Sequence, residues 1–135
     1  MGMQKHSQRE RIIAHIQSTF GAEPEYLWAD SPDATVFRHP TSRKWFAIMM
    51  DVALSRLGLS GEGTVWVMNV KSSPLMIGSL LSEKGFLPAY HMNKDHWVSI
   101  LLDGTISDKQ ILPLLELSYD SVTPKRRRKA VPDNQ

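Results

Sequence analysis

Between residues 35 and 71 the chain offers one strand after another, with turn signals and no helical stretch between them. Thr35–His39 runs into a turn at Pro40–Arg43, and Lys44–Val52 follows with Phe46, Ile48, Met50 and Val52 on one parity. Ser60-Gly61-Glu62-Gly63 then separates it from Thr64–Lys71, which is rich in Val and Trp. Period-two patterning in β-branched and aromatic residues reads as strand. Successive strands joined by short turns pair antiparallel, because a parallel pair needs a long crossover, usually a helix. The run therefore excludes a doubly wound parallel fold. It predicts an α+β protein: an antiparallel sheet with helices packed on it.

Helices are expected on either side of that run. In residues 7–20, Ile12, Ile13, Ile16 and Phe20 fall at helical spacing, and Gly21 is placed to end the helix. Ser73 as N-cap and Pro74 as first helical residue open a second helix, predicted to reach Lys84 before Gly85 stops it. Strands near Phe86–Met92 and His96–Leu102 follow, joined by a turn at Asn93-Lys94-Asp95. The last helix opens on a capping box formed by Ser107 and Gln110, with Ile111, Leu114, Leu115, Ser118 and Tyr119 on its inner face. Pro113 removes a helix hydrogen bond, so either the helix kinks there or regular helix starts near Leu112. With a weaker strand at Tyr26–Trp28, the predicted order is α-β-β-β-β-α-β-β-α.

Alternation along the strands assigns the faces. Phe46, Ile48, Met50 and Val52, with Trp66, Met68 and Val70 and with Val98, Ile100 and Leu102, are expected to form the core against the helices. The opposite parities are mixed: Trp45, Ala47, Met49 and Asp51; Val65, Val67, Asn69 and Lys71; Trp97, Ser99, Leu101 and Asp103. Such a face suits base stacking or a partner if it is open. It suits plain packing under loops or a second copy if it is covered.

Length and composition limit the rest. The chain has 135 residues, 41% of them hydrophobic, which fits one domain with its own core. We divide it into a domain at 1–122 and a basic tail at 123–135 expected to lack fixed structure. There is no cysteine, so disulfides, thiolate metal sites and cysteine nucleophiles are excluded. The N-terminus is polar and no stretch approaches the ~18 apolar residues of a membrane span, so a cytoplasmic protein with no membrane partner is expected. Residues 125–135 carry a net +4 through Lys125, Arg126, Arg127, Arg128 and Lys129, whereas residues 1–124 carry −2. The basic balance thus belongs to the tail, where it can neutralise phosphates without sequence preference. It can equally be a solvated end.

Chemistry-bearing residues gather in three stretches. The densest is Pro88-Ala89-Tyr90-His91-Met92-Asn93-Lys94-Asp95-His96-Trp97. His91 and His96 lie across a turn rather than on one helix face, and nothing completes a metal-ligand spacing, so no metal is expected. The second stretch is Val36-Phe37-Arg38-His39-Pro40 with Lys44-Trp45-Phe46. The third, Asn69-Val70-Lys71-Ser72-Ser73-Pro74, meets a helix N-terminus, where Lys71 and backbone N–H groups suit an anion. No glycine-rich phosphate loop and no nucleophile elbow occur, so no nucleotide cofactor and no catalytic residue are assigned.

These stretches are similar to the MmcQ/YjbR family. The similarity is carried by Pro88-x-Tyr90-His91-Met92-Asn93-Lys94-x-His96-Trp97 above all, with Phe37-Arg38-His39, Lys44-Trp45-Phe46, Asn69-x-Lys71 with Pro74, Ser118-Tyr119, and upstream Pro24-Glu25-Tyr26-x-Trp28. It runs from about residue 8 to residue 122 and leaves out the tail. The resemblance implies a CyaY-like (frataxin-like) arrangement and no settled enzymatic activity. It also implies DNA binding, suggested for such proteins from the fold of a phage "double wing" domain. Where family members often carry Cys after the Asn-x-Lys, this chain has Ser72, so a thiol-dependent role does not transfer.

The expected function is accordingly a non-enzymatic DNA-binding or regulatory domain without a cofactor. Its candidate contacts are Arg38, Lys44, Trp45, Asn69, Lys71, Tyr90, His91, Asn93, Lys94, His96 and Trp97, with the tail residues 125–129 as a clamp. The alternative is a module for a small molecule, a protein or a second copy of the chain, using the Trp-bearing face or the His91–His96 hairpin. An enzyme built on Tyr90, His91, Lys94 and His96 would need those side chains to converge in one pocket.

Overall fold

The structure is a computed structural model, and it describes residues 7–124. Helix α1 (Gln8–His15) starts at Ser7, whose hydroxyl accepts from the Glu10 N–H while the Glu10 side chain returns to the Ser7 N–H. After His15 the turns widen into a π-helical segment, Ile16–Phe20, closed by Gly21 at φ 66°. The apolar stripe read from the sequence is thus present, but its second half is not regular α-helix. No strand forms at Tyr26–Trp28, where the Pro, Gly and Asp around it win; only Glu25 makes an isolated antiparallel bridge to Val36.

Strands β1 (Thr35–Arg38), β2 (Trp45–Ala53), β3 (Thr64–Lys71), β4 (Phe86–Pro88) and β5 (Trp97–Leu101) form one sheet in the order β1-β2-β3-β5-β4. Every pairing is antiparallel, as the short connections dictate. A 3-10 turn that the sequence did not announce, Leu54–Leu57, leads from β2 toward the Ser60–Gly63 turn. Helix α2 (Pro74–Leu80) has the expected Ser73 cap, with the Met76 N–H on the Ser73 hydroxyl. It stops four residues short of Lys84, and successive turns carry the chain to Gly85. β4 ends at Pro88 rather than Met92, because proline has no N–H for the ladder.

Helix α3 (Asp108–Ser121) is regular from its capping box onward, with Pro113 inside it, so the later start near Leu112 is corrected. Its first turn is tied to α1. Gln8, buried, donates to the Ile106 carbonyl and the Asp108 carboxylate and accepts from the Gly104 N–H. Arg11 bonds the same carboxylate at 2.8 Å and holds the Asp108 carboxyl below its ordinary range, burial opposing and Gln8 assisting.

The helices pack on one face of the sheet. Ile12, Ile16, Ile111 and Leu115 meet Phe37, Met49, Met68, Val98 and Ile100 there, all of them buried. The expected faces hold for β3 and β5 but not for β2. Phe37 lies opposite Ala47, yet Arg38 lies opposite Trp45, so Phe46 is an extra, unpaired residue: a β-bulge. The bulge lets both Phe46 and Ala47 face the helices, and from there the parity is inverted. Met49, opposite Met68, is helix-side; Ile48, Met50 and Val52 lie on the other face, beside Asn69, Val67 and Val65. Ser118 of α3 closes the gap that the bulge leaves. Its hydroxyl donates to the Phe46 carbonyl at 2.6 Å and accepts from the Lys71 N–H at 2.8 Å.

Candidate functional site

The face away from the helices has only a small core of its own. Val52, Val67 and Leu101 are buried there, with Met50, Leu57, Leu59, Val65, Leu87 and Tyr90 half-covering them. Beside this core the face opens into a pocket of about 620 Å³. Its floor is Ile48, Met50 and Val52 of β2, the residues the bulge turned over. Its walls come from the 28–34 segment, from Trp45, from Arg56 on the 3-10 turn, and from Tyr90, His91 and Met92. Trp28 and Trp45 meet edge-to-face, with ring centroids 5.8 Å apart at 88°.

The opposite wall is held by buried polar groups. Asn69 and Ser99 face each other across β3 and β5 and are fully buried. The Ser99 hydroxyl donates to the Asn69 side-chain oxygen and accepts from the Tyr90 N–H, while the Asn69 amide donates to the Tyr90 carbonyl. Both backbone groups of Tyr90 are thereby fixed from below. His91 follows at φ 60°, its ring 4.1 Å from the Tyr90 ring. Interaction with the Tyr90 side chain raises the Arg56 guanidinium above its ordinary value. Asp30 and Asp33 also line the pocket, and neither is ion-paired with another described residue. Asp51 contributes from β2 too, but it pairs with Trp66 of the helix side, so alternation turns its carboxylate away.

Of the residues singled out from the sequence, the structure brings Trp45, Tyr90 and His91 into the pocket wall and places Asn69 beneath them. The others gather at the same end of the sheet but outside the pocket. Trp97 lies opposite Lys71, and the Ser72 N–H bonds the His96 carbonyl. Asn93, Lys94 and His96 are exposed on their turn, where Asn93 accepts from the Asp95 N–H. Lys44 is exposed as well. Arg38 is committed to Glu25 at 3.1 Å, and Arg43 reaches the same carboxylate at 3.5 Å. Lys125, Arg126, Arg127, Arg128 and Lys129 lie outside the described residues.

The sequence reading missed Trp28, Asp33 and Arg56 as wall residues. An isolated tryptophan among Pro, Gly and Asp punctuators was the available signal for Trp28; Arg56 had none. It also missed the role of His39. This buried imidazole accepts from the Thr41 and Ser42 N–H groups on Nδ1, at 3.0 and 3.3 Å, and meets the Thr123 hydroxyl on Nε2 at 3.2 Å. It stacks on Tyr119 at 4.4 Å. Burial holds it below its ordinary value, with Asp120 opposing in part. The bonding assigns a neutral ring with its proton on Nε2.

Comparison with known proteins follows the same lines. A family model described as YjbR matches residues 17–121. A Bacillus subtilis relative, "Uncharacterized protein YyaQ", is 36% identical over 111 residues, covering 82% of this chain and 94% of its own. "Uncharacterized protein YjbR" of Escherichia coli is 33% identical over 66 residues, covering 46% of this chain and 56% of its own. Among solved structures, a Pseudomonas syringae protein is similar at a TM-score of 0.83 and 37% identity, covering 85% of this chain and 98% of that one. A Deinococcus radiodurans protein shares the fold at a TM-score of 0.63 and 22% identity. No helix among the described residues is long and apolar enough to cross a membrane.

Proposed function

The chain belongs to the YjbR family, and from that premise we propose that it is a non-catalytic binding module whose ligand enters the pocket on the open face of the sheet. The observation that carries this reading is the pocket itself: about 620 Å³, with an apolar floor and Trp28, Trp45 and Tyr90 in its walls. Its size is in the range of small-molecule sites, and a few polar groups around an apolar floor are what such sites use for orientation. The fixed backbone of Tyr90 supports it further, since a wall held by buried hydrogen bonds is organised before a ligand arrives. Lys94 and His96 stand outside the pocket, which supports a binding role over an enzyme built on those groups with Tyr90 and His91. Quenching or a blue shift of tryptophan fluorescence on ligand addition, lost in Trp45→Leu, is the test; a response unchanged by that substitution would place binding elsewhere.

DNA contact is a second reading, favoured by the exposure of Lys44 and Lys94 beside Lys71 at one end of the sheet. The described residues oppose it with an excess of acidic over basic side chains. Binding of labelled duplex by the full chain is compared with a form whose residues 125–129 are all Gln. Retained, salt-steep binding assigns DNA to the sheet end. Binding lost with the tail charges leaves the folded body to the pocket ligand.

A further inference from the structure

The charge and shape of the pocket specify a class of ligand. Trp28 and Trp45 stand at 88° to one another and make a corner of two indoles. Such a corner presents a π-face, electron-rich at its centre, to whatever occupies it. Asp30 and Asp33 lie on the same lining without a described ion-pair partner. Against these two carboxylates the lining carries one guanidinium, Arg56. An anion placed here would meet two carboxylates and one guanidinium. A neutral apolar ligand would draw the carboxylates out of water with nothing in return. An organic cation gains from both the indoles and the carboxylates.

We infer that the pocket selects an organic ammonium group on an apolar or aromatic body, held in the Trp28–Trp45 corner and balanced by Asp30 and Asp33. The inference rests on the pocket reading above and adds the sign of the ligand's charge. The corner and its carboxylates are open to solvent: Trp28 is 38% exposed and Asp30 and Asp33 are exposed. The same chemistry is offered by a free amine and by a lysine side chain on a protein.

The test uses the full chain and three probes on one skeleton: phenethylamine, 2-phenylethanol and phenylacetate, titrated by tryptophan fluorescence. The expected order is amine, then alcohol, then carboxylate, with the amine on the order of tenfold tighter than the alcohol. In Asp30→Asn with Asp33→Asn that ratio narrows while alcohol affinity stays the same, a result that loss of fold would not give. A ratio near one in the native chain, or tighter binding of phenylacetate, overturns the charge assignment and leaves the pocket reading standing. No response to any of the three overturns the pocket reading itself. An acetylated and amidated Leu-Lys-Leu peptide, set against its norleucine analogue, separates the sources. Lysine-dependent binding tighter than phenethylamine assigns the ammonium to a protein side chain, and weaker binding assigns it to a free amine.

Discussion

On one face of the sheet, α1, the π-helical segment after it and α3 lay Ile12, Ile16, Ile111 and Leu115 over Phe37, Met49, Met68 and Ile100, and each of these side chains is dry. On the other face, Val52, Val67 and Leu101 are covered by a 3-10 turn and loops, and beside them Ile48 and Met50 floor an open pocket. The strands are shared, so the difference lies in what covers them. Helices bring whole apolar stripes and leave no gap. Loops bring single side chains on polar backbone, which cover incompletely and leave Trp28, Trp45 and Tyr90 half-exposed. The helix face holds the molecule together, and the loop face keeps an open pocket. The hinge between them is the bulge at Phe46, which moves Ile48, Met50 and Val52 from the first face to the second.

That contrast can be broken from the stable side first. Leu115→Ala removes a fully buried side chain from the helix face and is expected to cost about 2–5 kcal/mol of unfolding free energy in denaturant titration. A loss under about 1 kcal/mol would mean that this face is not the main source of stability. Ser118→Ala strikes the hinge. It strips the Phe46 carbonyl and the Lys71 N–H of their partner, at about 1–3 kcal/mol for each group left unsatisfied. Amide exchange is expected to quicken at Lys71 before it does at Met68, whose ladder bonds are intact.

His39 gives a smaller effect that follows pH. Its folded value lies below the ordinary 6.5, so the unfolded chain takes up the proton first. Its stabilising contribution is complete above that value and is lost as pH falls through the lowered folded value. Stability measured from about pH 7 to about pH 5 is expected to fall less steeply in His39→Gln than in the native chain. Parallel slopes would remove His39 from the account. Trp45→Leu is the mildest for stability, with an expected change under about 1 kcal/mol because the ring is half-exposed. Its effect belongs to binding.

How much of this could be read in advance follows from which interactions are local. The five strands of the sheet, the Ser73 and Ser107 caps and the Gly21 stop are written in neighbouring residues and appear where patterning put them, whereas the weak strand expected at Tyr26–Trp28 does not form. The faces of β3 and β5 were legible for the same reason. The bulge was not: Phe46 sits in an unbroken apolar run with no Gly or Pro to mark it, and the group that satisfies its carbonyl is Ser118, 72 residues away. One unseen residue inverted the assignment of six positions along β2, from Phe46's neighbour Ala47 to Val52. Trp45, Tyr90 and His91 were found because uncommon residues cluster there. Trp28 and Arg56 reach the pocket through irregular paths that carry no period, and Asn69 lies buried beneath the wall, bonded to the Tyr90 carbonyl.

The most direct test is a ¹⁵N–¹H chemical-shift map of the full chain with and without phenethylamine. Ligand in the pocket is expected to shift only the lining, at Trp28, Asp33, Ile48, Met50, Tyr90 and His91, with the Trp45 indole N–H among them. Shifts centred on Lys71, Lys94 and His96, or on the exposed surfaces of α1 and α3, would contradict it.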